Sequence, residues 1–241
     1  MILAISLGNS RITAGRVDGH EVLEKRGAPA RDPEEWPDLL DWIYGQGSSM
    51  PIVAVSVNPA VAEAFGERLG HAWLLLGRDL EIPVRNRTRK PEQTGHDRLL
   101  DGYAAQKLHG RPVLAVDFGT AFTFNLMDEE GAFLGGAIAP GLEISRAGLF
   151  KRCAQLPWIE GPVEEVPLLG KDTESAIRSG IYNGYLGLVE SLVTRLKDSV
   201  AGPCAVVATG GDAPFFVRHS SLFDHHDPDL LLKGIALAHE A

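Results

Sequence analysis

The chain has 241 residues, of which 44% are hydrophobic and 23% charged, and 23 Lys and Arg set against 32 Asp and Glu give a formal net charge of -9. Such a composition fits a soluble globular protein of one large or two small domains and excludes a disordered chain. The acidic balance argues against a general nucleic-acid binder, which needs a concentrated basic face; basic charge clusters locally at Arg85, Arg87, Arg89 and Lys90.

Met1 to Leu7 is apolar, lacks a basic leader and ends in Gly-Asn-Ser, so it is too short for a signal peptide or a membrane span. It reads instead as a strand that enters the polar turn Gly8-Asn9-Ser10. A second strand, Arg11 to Val17, follows, and Asp18-Gly19 turns it into a third. Asp32-Pro33-Glu34-Glu35 has the signs of a helix start, with Trp36, Leu39, Leu40 and Ile43 recurring at helical spacing toward a core. Pro51 to Val57 reads as a buried strand and Asn58-Pro59 opens a helix to Leu69, a βα unit. Trp73 to Leu76 and Ile82 to Val84 are further strand candidates. A helix is expected from Gly95 or His96 to Leu108, stopped by Gly110-Arg111-Pro112, and the domain boundary is placed there, giving domains 1–111 and 112–241.

The second half then repeats the first. Leu114-Ala115-Val116-Asp117-Phe118-Gly119-Thr120-Ala121 matches Leu3-Ala4-Ile5-Ser6-Leu7-Gly8-Asn9-Ser10, and a second strand, Phe122 to Met127, again runs to a turn at Glu130-Gly131. The copies differ at one telling position, since Asp117 carries a carboxylate where Ser6 has none. Gly135-Gly136-Ala137-Ile138-Ala139-Pro140-Gly141 is expected to be a loop where backbones approach closely. Leu142 to Phe150 reads as a short helix, and Pro157 to Leu169 as a loop with a brief strand. A long helix runs from Thr173 to Val200, where the spacing of Gly180, Gly184 and Gly187 would let another helix, from this chain or a second subunit, come close. Ala205 to Ala208 is a strand ending in Thr209-Gly210-Gly211-Asp212-Ala213, and Leu230 to Ala238 is a final helix.

Cys153 and Cys204 form no CxxC pair, so neither a disulfide framework nor a structural zinc site is expected, and a reduced, cytoplasmic setting fits. His225 and His226 are adjacent and would point to opposite faces of an extended segment, which argues against a metal site there. Paired strand–turn–strand units with glycine corners can offer backbone N–H groups and hydroxyls to an anion, most naturally a nucleotide phosphate. No GxxxxGK[ST] sequence and no protein-kinase signature occurs, which disfavours those two routes to phosphoryl transfer.

The duplicated hairpin resembles the acetate and sugar kinase, Hsp70 and actin superfamily, and within it the chain resembles type III pantothenate kinases over almost its whole length. The matching stretches are Gly8-Asn9-Ser10, Gly95-His96-Asp97-Arg98, Asp117-Phe118-Gly119-Thr120-Ala121, Gly135 to Gly141, Thr173 to Gly180 and Thr209 to Ala213. The Gly-x-Asp-Arg motif ahead of Asp-x-Gly-Thr discriminates best. The resemblance implies an α/β fold of two ribonuclease-H-like domains with a nucleotide cleft between them, and phosphorylation of pantothenate by ATP at the start of coenzyme A synthesis. It implies that Ser6, Leu7, Gly8, Asn9, Ser10, Arg11, Ile12 and Thr13 form the loop for the ATP phosphates, joined by Thr120, Gly210 and Gly211. Gly95, His96, Asp97 and Arg98 would hold pantothenate, with Asp97 as the base and Arg98 pairing the substrate carboxylate. Asp117 would bind a monovalent cation, K+ or NH4+, Mg2+ would accompany ATP, and Thr173 would reach substrate across a homodimer interface; no nucleic acid or membrane partner is implied.

The chain departs from the family's pattern at Ser6, where that first loop normally begins with aspartate, and the expected consequence is weaker nucleotide or magnesium affinity with the fold intact. Arg87-Thr88 stands where the family often has a tyrosine, which leaves substrate contacts around Thr88 open, and Asp101 stands where asparagine is common. The alternative to a kinase is a catalytically weak relative with a binding or regulatory role, of the kind for which the Bvg accessory factor branch was named.

Overall fold

A computed structural model describes residues 1–47, 50–161 and 164–241. By internal contacts the chain divides into two units: Met1–His109 with Gly131–Leu134 and Asp229–Ala241, and Gly110–Glu130 with Gly135–Pro228.

The first unit is built on the strands β1 (Ile2–Leu7), β2 (Arg11–Asp18), β3 (Glu21–Pro29), β4 (Ile52–Ser56) and β5 (Leu74–Leu75). They lie in the order β3-β2-β1-β4-β5, with β1–β2 and β2–β3 antiparallel and β1–β4 and β4–β5 parallel. Side chains alternate across a strand, so β1 feeds two cores. Leu3, Ile5 and Leu7 pack with Trp36, Leu40, Phe65 and Leu69 on one face, where α1 (Pro37–Gly45) and α2 (Pro59–Leu69) lie. Ile2 and Ala4 pack with Leu100, Tyr103, Leu232 and Ile235 on the other, from α3 (His96–His109) and the C-terminal helix, Leu230–His239. Trp36 and Phe65, both fully buried, meet edge to face with centroids 5.4 Å apart; removing either ring would cost about 3–5 kcal/mol.

The second unit repeats this plan with β6 (Val113–Phe118), β7 (Ala121–Met127), β8 (Phe133–Pro140), β9 (Ala205–Thr209) and β10 (His225–His226). Reading the sheet as β8-β7-β6-β9-β10 gives the first unit's order strand for strand, including the antiparallel β6–β7 and parallel β6–β9 and β9–β10 pairs. Its core joins Val116, Phe118, Phe122, Phe124 and Phe216 to Tyr185, Val189 and Val193 of a long helix. In chain order the helices after α3 are α4 (Leu142–Arg152), α5 (Thr173–Lys197), α6 (Ala213–His219) and α7 (Leu230–His239). The duplication read in the hairpins therefore extends through whole sheets, and the α/β architecture of two ribonuclease-H-like halves is as expected.

Several local expectations are corrected. Asp32 does cap a turn, accepting the Glu34 N–H at 3.1 Å, but Pro33–Glu35 is a 3-10 turn and α1 starts only at Pro37. Ile82–Val84 joins no ladder, because Pro83 has no N–H to donate and the Val84 N–H turns back to Ile82 at 2.7 Å. The glycine-rich Gly135–Pro140 stretch is the edge strand β8 rather than a loop. The close approach expected there is real, since Gly136 passes so near the Phe124 carbonyl that a Cβ would collide with it. Residues 157–161 and 164–169 hold no strand; Pro162 and Val163, within the stretch where a brief strand was expected, lie outside the described residues.

Candidate active site

The Gly95-His96-Asp97-Arg98 motif lies at the start of α3 in the first unit. Asp97 occupies the first helical turn, where unpaired backbone N–H groups favour a carboxylate, and its Oδ1 accepts the Arg98 N–H at 2.8 Å. A Cβ on Gly95 would stand 2.6 Å from that same oxygen, so glycine is what lets the chain enter the helix against this carboxylate. The group is half-buried. Burial pushes its pKa above the ordinary aspartate value, and the Arg98 N–H, the Arg98 guanidinium and His96 offset that in part. Burial also lowers the pKa of Arg98, whose guanidinium lies 5.4 Å from the centre of the Phe133 ring, while Asp97 pulls it back up.

Sequence reasoning missed what surrounds this pair. Phe133 is held by two backbone bonds, its N–H to Arg85 O at 2.8 Å and its carbonyl accepting from Arg87 N at 2.9 Å. Between those two arginines Asn86 ties the preceding loop together: its Nδ2 donates to Thr94 Oγ1 at 3.0 Å, and its Oδ1 accepts the Thr88 hydroxyl at 2.8 Å. The segment where the family often has tyrosine is thus a polar network leading into Gly95. Asn86 lies within the basic run and Thr94 just after the proline turn, yet nothing in their spacing signals that they meet.

The first glycine corner lies between β1 and β2 in the same unit. Gly8 N–H bonds Arg11 O at 3.0 Å to close the turn, and Val57 N–H bonds Leu7 O at 3.2 Å. Asn58, which caps α2 by accepting the Val61 N–H at 3.3 Å, also points its Nδ2 to Asn9 Oδ1 at 3.4 Å. Ser6 pairs with Thr13 on one side and Val55 on the other. Leu7 and Ile12 are buried in the core, so of the predicted loop residues these two present only backbone outward, whereas Asn9, Ser10 and Arg11 are exposed.

The second corner, between β6 and β7, has the same frame in its own unit. Asp117 pairs with Thr123 and with Thr209, the residues matching Thr13 and Val55. Asp212 N–H bonds Phe118 O at 3.1 Å, as Val57 does Leu7. Gly210 has φ +91°, and a Cβ there would fall onto Asp117 Oδ1 and the Phe118 backbone. Gly119 also passes close to the carboxylate, at 3.3 Å from an ideal Cβ. Asp117 therefore sits in a cradle of two glycines, where a Cβ would crowd its carboxylate. Thr120 and Gly211 are exposed nearby in sequence, and the Thr120 carbonyl accepts the Gly141 N–H at 3.1 Å. Burial raises the pKa of Asp212, with Arg146 lowering and Glu143 raising it.

Thr173 stands apart on the exposed first turn of α5, where Asp172 and Ser175 form a reciprocal cap. Among the described residues no group of 3 or more His, Cys, Asp or Glu could hold a metal ion, and no helix is long and apolar enough to cross a membrane.

A family model described as type III pantothenate kinase matches residues 2–195, which takes in the β1–β2 and β6–β7 turns, Asp97, Arg98, Asp117 and Thr173 but not Gly210 and Gly211. The chain belongs to the type III pantothenate kinase family. The type III pantothenate kinase of Moorella thermoacetica is 36% identical over 253 residues, covering 100% of this chain and 99% of that one. Among solved structures, a Baf family protein from Campylobacter jejuni superposes with a TM-score of 0.66 at 17% identity, covering 99% of this chain and 98% of that one. The activator of the 2-hydroxyisocaproyl-CoA dehydratase from Clostridium difficile, with bound ADPNP, gives a TM-score of 0.58 at 12% identity, covering 99% and 96%. At such identities the two structures speak for the fold alone, while the whole-length relative carries the kinase name, so the binding-protein alternative is not favoured.

Proposed function

We propose that this protein transfers the γ-phosphoryl group of ATP to the primary hydroxyl of pantothenate, forming phosphopantothenate and ADP as the entry to coenzyme A synthesis in the cytoplasm. The observation that carries this reading is Asp97: a carboxylate fixed by the Arg98 N–H at 2.8 Å, half-buried and raised in pKa, in a chain that matches the family from end to end. Phosphoryl transfer proceeds through a loose transition state, so the protein chiefly aligns the nucleophile and spreads charge. Asp97 would orient the hydroxyl and take its proton as the oxygen bonds phosphorus and the bridging oxygen leaves with ADP. A pKa raised by burial makes it a better base than an exposed aspartate. The Arg98 guanidinium, presented over Phe133, would pair the substrate carboxylate, with Gly95 and His96 shaping the same pocket.

The corner from Ser6 to Thr13, with Thr120, Gly210 and Gly211, would receive the nucleotide. The glycine cradle of Asp117 suits a monovalent cation, K+ or NH4+, which would offset phosphate charge beside a carboxylate. Mg2+ would arrive with ATP, since Ser6 offers a hydroxyl but no charge to recruit it. Thr173 would reach substrate in a homodimer, and Gly180, Gly184 and Gly187, all exposed on α5 with open space beside each, are consistent with a partner helix there. The test is turnover of ATP and pantothenate with Mg2+ and K+. Wild type should form phosphopantothenate, and Asp97→Asn should lose about 100-fold or more in kcat. Full activity in Asp97→Asn would remove Asp97 from the base role.

A further inference from the structure

The first corner lacks a carboxylate at Ser6 but has an exposed arginine, Arg31, tied to its tip. Arg31, just beyond the end of β3, donates its Nε–H to the carbonyl of Asn9 at 3.3 Å, and the neighbouring Ala30 N–H bonds Ser10 O at 3.0 Å. Both links pin the segment after β3 to the tip of the β1–β2 turn. Arg31 makes no ion pair among the described residues, although Asp32 is next to it; the Asp32 carboxylate turns to the Glu34 N–H instead. Its terminal nitrogens remain exposed at the corner. Arg11, also exposed, instead lays its guanidinium across Gly27 of β3, the partner of Thr13 farther along the ladder, so its charge is directed away from the turn. An arginine that uses Nε to fix its position against backbone keeps a planar pair of donors for an anion.

We propose that Arg31 is a phosphate-binding side chain of the first corner, and that its guanidinium neutralises the nucleotide's phosphates directly where Ser6 provides no acid to hold a metal ion. The inference rests on the kinase reading and adds a specificity: the corner selects the polyphosphate by guanidinium contacts that need no divalent ion. The fork of a guanidinium at the tip of a glycine turn can pair two phosphate oxygens, and the Asn9 carbonyl bond sets its reach.

Isothermal titration of the full chain with ATP, with inorganic tripolyphosphate and with adenosine, each in Mg2+ and in EDTA, tests this. Wild type should bind ATP and tripolyphosphate in EDTA as well as in Mg2+. Arg31→Ala should weaken both by about tenfold or more while leaving adenosine affinity and the melting temperature unchanged, and Arg31→Lys should restore part of the loss. An Arg31→Ala protein that binds ATP and tripolyphosphate within about twofold of wild type overturns the role of Arg31 and leaves the kinase reading standing. A wild type that binds no ATP under either condition overturns both.

Discussion

The two glycine corners share a skeleton and differ in chemistry. In each, a short apolar strand ends beside a glycine, its penultimate side chain is flanked by an antiparallel and a parallel neighbour, and its last carbonyl accepts an N–H from the turn after that parallel strand. Leu7 O receives Val57 N–H at 3.2 Å in one, and Phe118 O receives Asp212 N–H at 3.1 Å in the other. The difference lies in what fills this frame. The first corner places Ser6 beside Val55 and closes with the side chain of Asn58, while the second places Asp117 beside Thr209 and closes with bare glycine at 210 and 211. Gly210 and Gly119 leave the room that the Asp117 carboxylate occupies, since a Cβ at either would crowd it, so the acid and the glycines fit together. The duplication thus preserves a fold in both halves but a carboxylate at the strand end in only one.

The largest effect should come from erasing that difference. Asp117→Asn makes both corners neutral; it should cut kcat/KM for ATP by about 100-fold and abolish any stimulation by K+, with circular dichroism unchanged. Persistent K+ stimulation in this variant would show that the second corner is not the cation site. The converse exchange, Ser6→Asp, should lower the KM for ATP in Mg2+ by several-fold, roughly the scale of one added charge contact. A KM that stays put would mean the first corner does not depend on an acid.

A smaller effect separates the two ways of closing the frame. Gly210→Ala forces a methyl onto Asp117 Oδ1 and the Phe118 backbone at φ +91°, which should cost about 1–3 kcal/mol. Asn58→Ala removes a helix cap from the matching place in the first unit and should cost about 1 kcal/mol. Thermal unfolding of both variants checks the order, and Asn58→Ala as the more damaging of the two would contradict the glycine cradle.

Much of this was legible because local signals agreed with one another. The hairpins announced themselves by apolar runs stopped at glycine, Asn58-Pro59 gave the start of α2, and Gly-x-Asp-Arg located Asp97 and Arg98 through the resemblance. What escaped depends on distant chain. Phe133 reaches Arg98 only because backbone bonds to Arg85 and Arg87 carry it there, and Arg31 meets Asn9 only because β3 returns beside β1–β2. α7 groups with the first unit although it closes the chain, since Leu232 and Ile235 complete the core against Leu100. β8 hid behind its glycines: composition signalled a close approach, and only the pairing partner makes it a strand. Ile82–Val84 shows the reverse error, an apolar run whose proline denies it a ladder.

The smallest predicted effect concerns the acid that belongs to neither corner. In the folded protein burial holds the pKa of Asp97 above its unfolded value, so this group favours folding when protonated, and that contribution is lost as pH rises through the folded pKa. At neutral pH the ionised carboxylate is therefore a net strain on the fold. Asp97→Asn keeps an oxygen to accept the Arg98 N–H and removes the charge, so it should melt slightly higher than wild type at neutral pH. The gap should close as pH falls below about 4, where the unfolded aspartate is also protonated. The same carboxylate should give kcat/KM an acidic limb above the usual aspartate range, absent from any residual activity of the variant. A lower melting temperature for Asp97→Asn at neutral pH would mean that attraction to Arg98 and His96 outweighs burial. Stability and turnover would then reward the charge together, whereas the burial of the carboxylate argues that they oppose each other, as they do where a buried acid is retained for its chemistry.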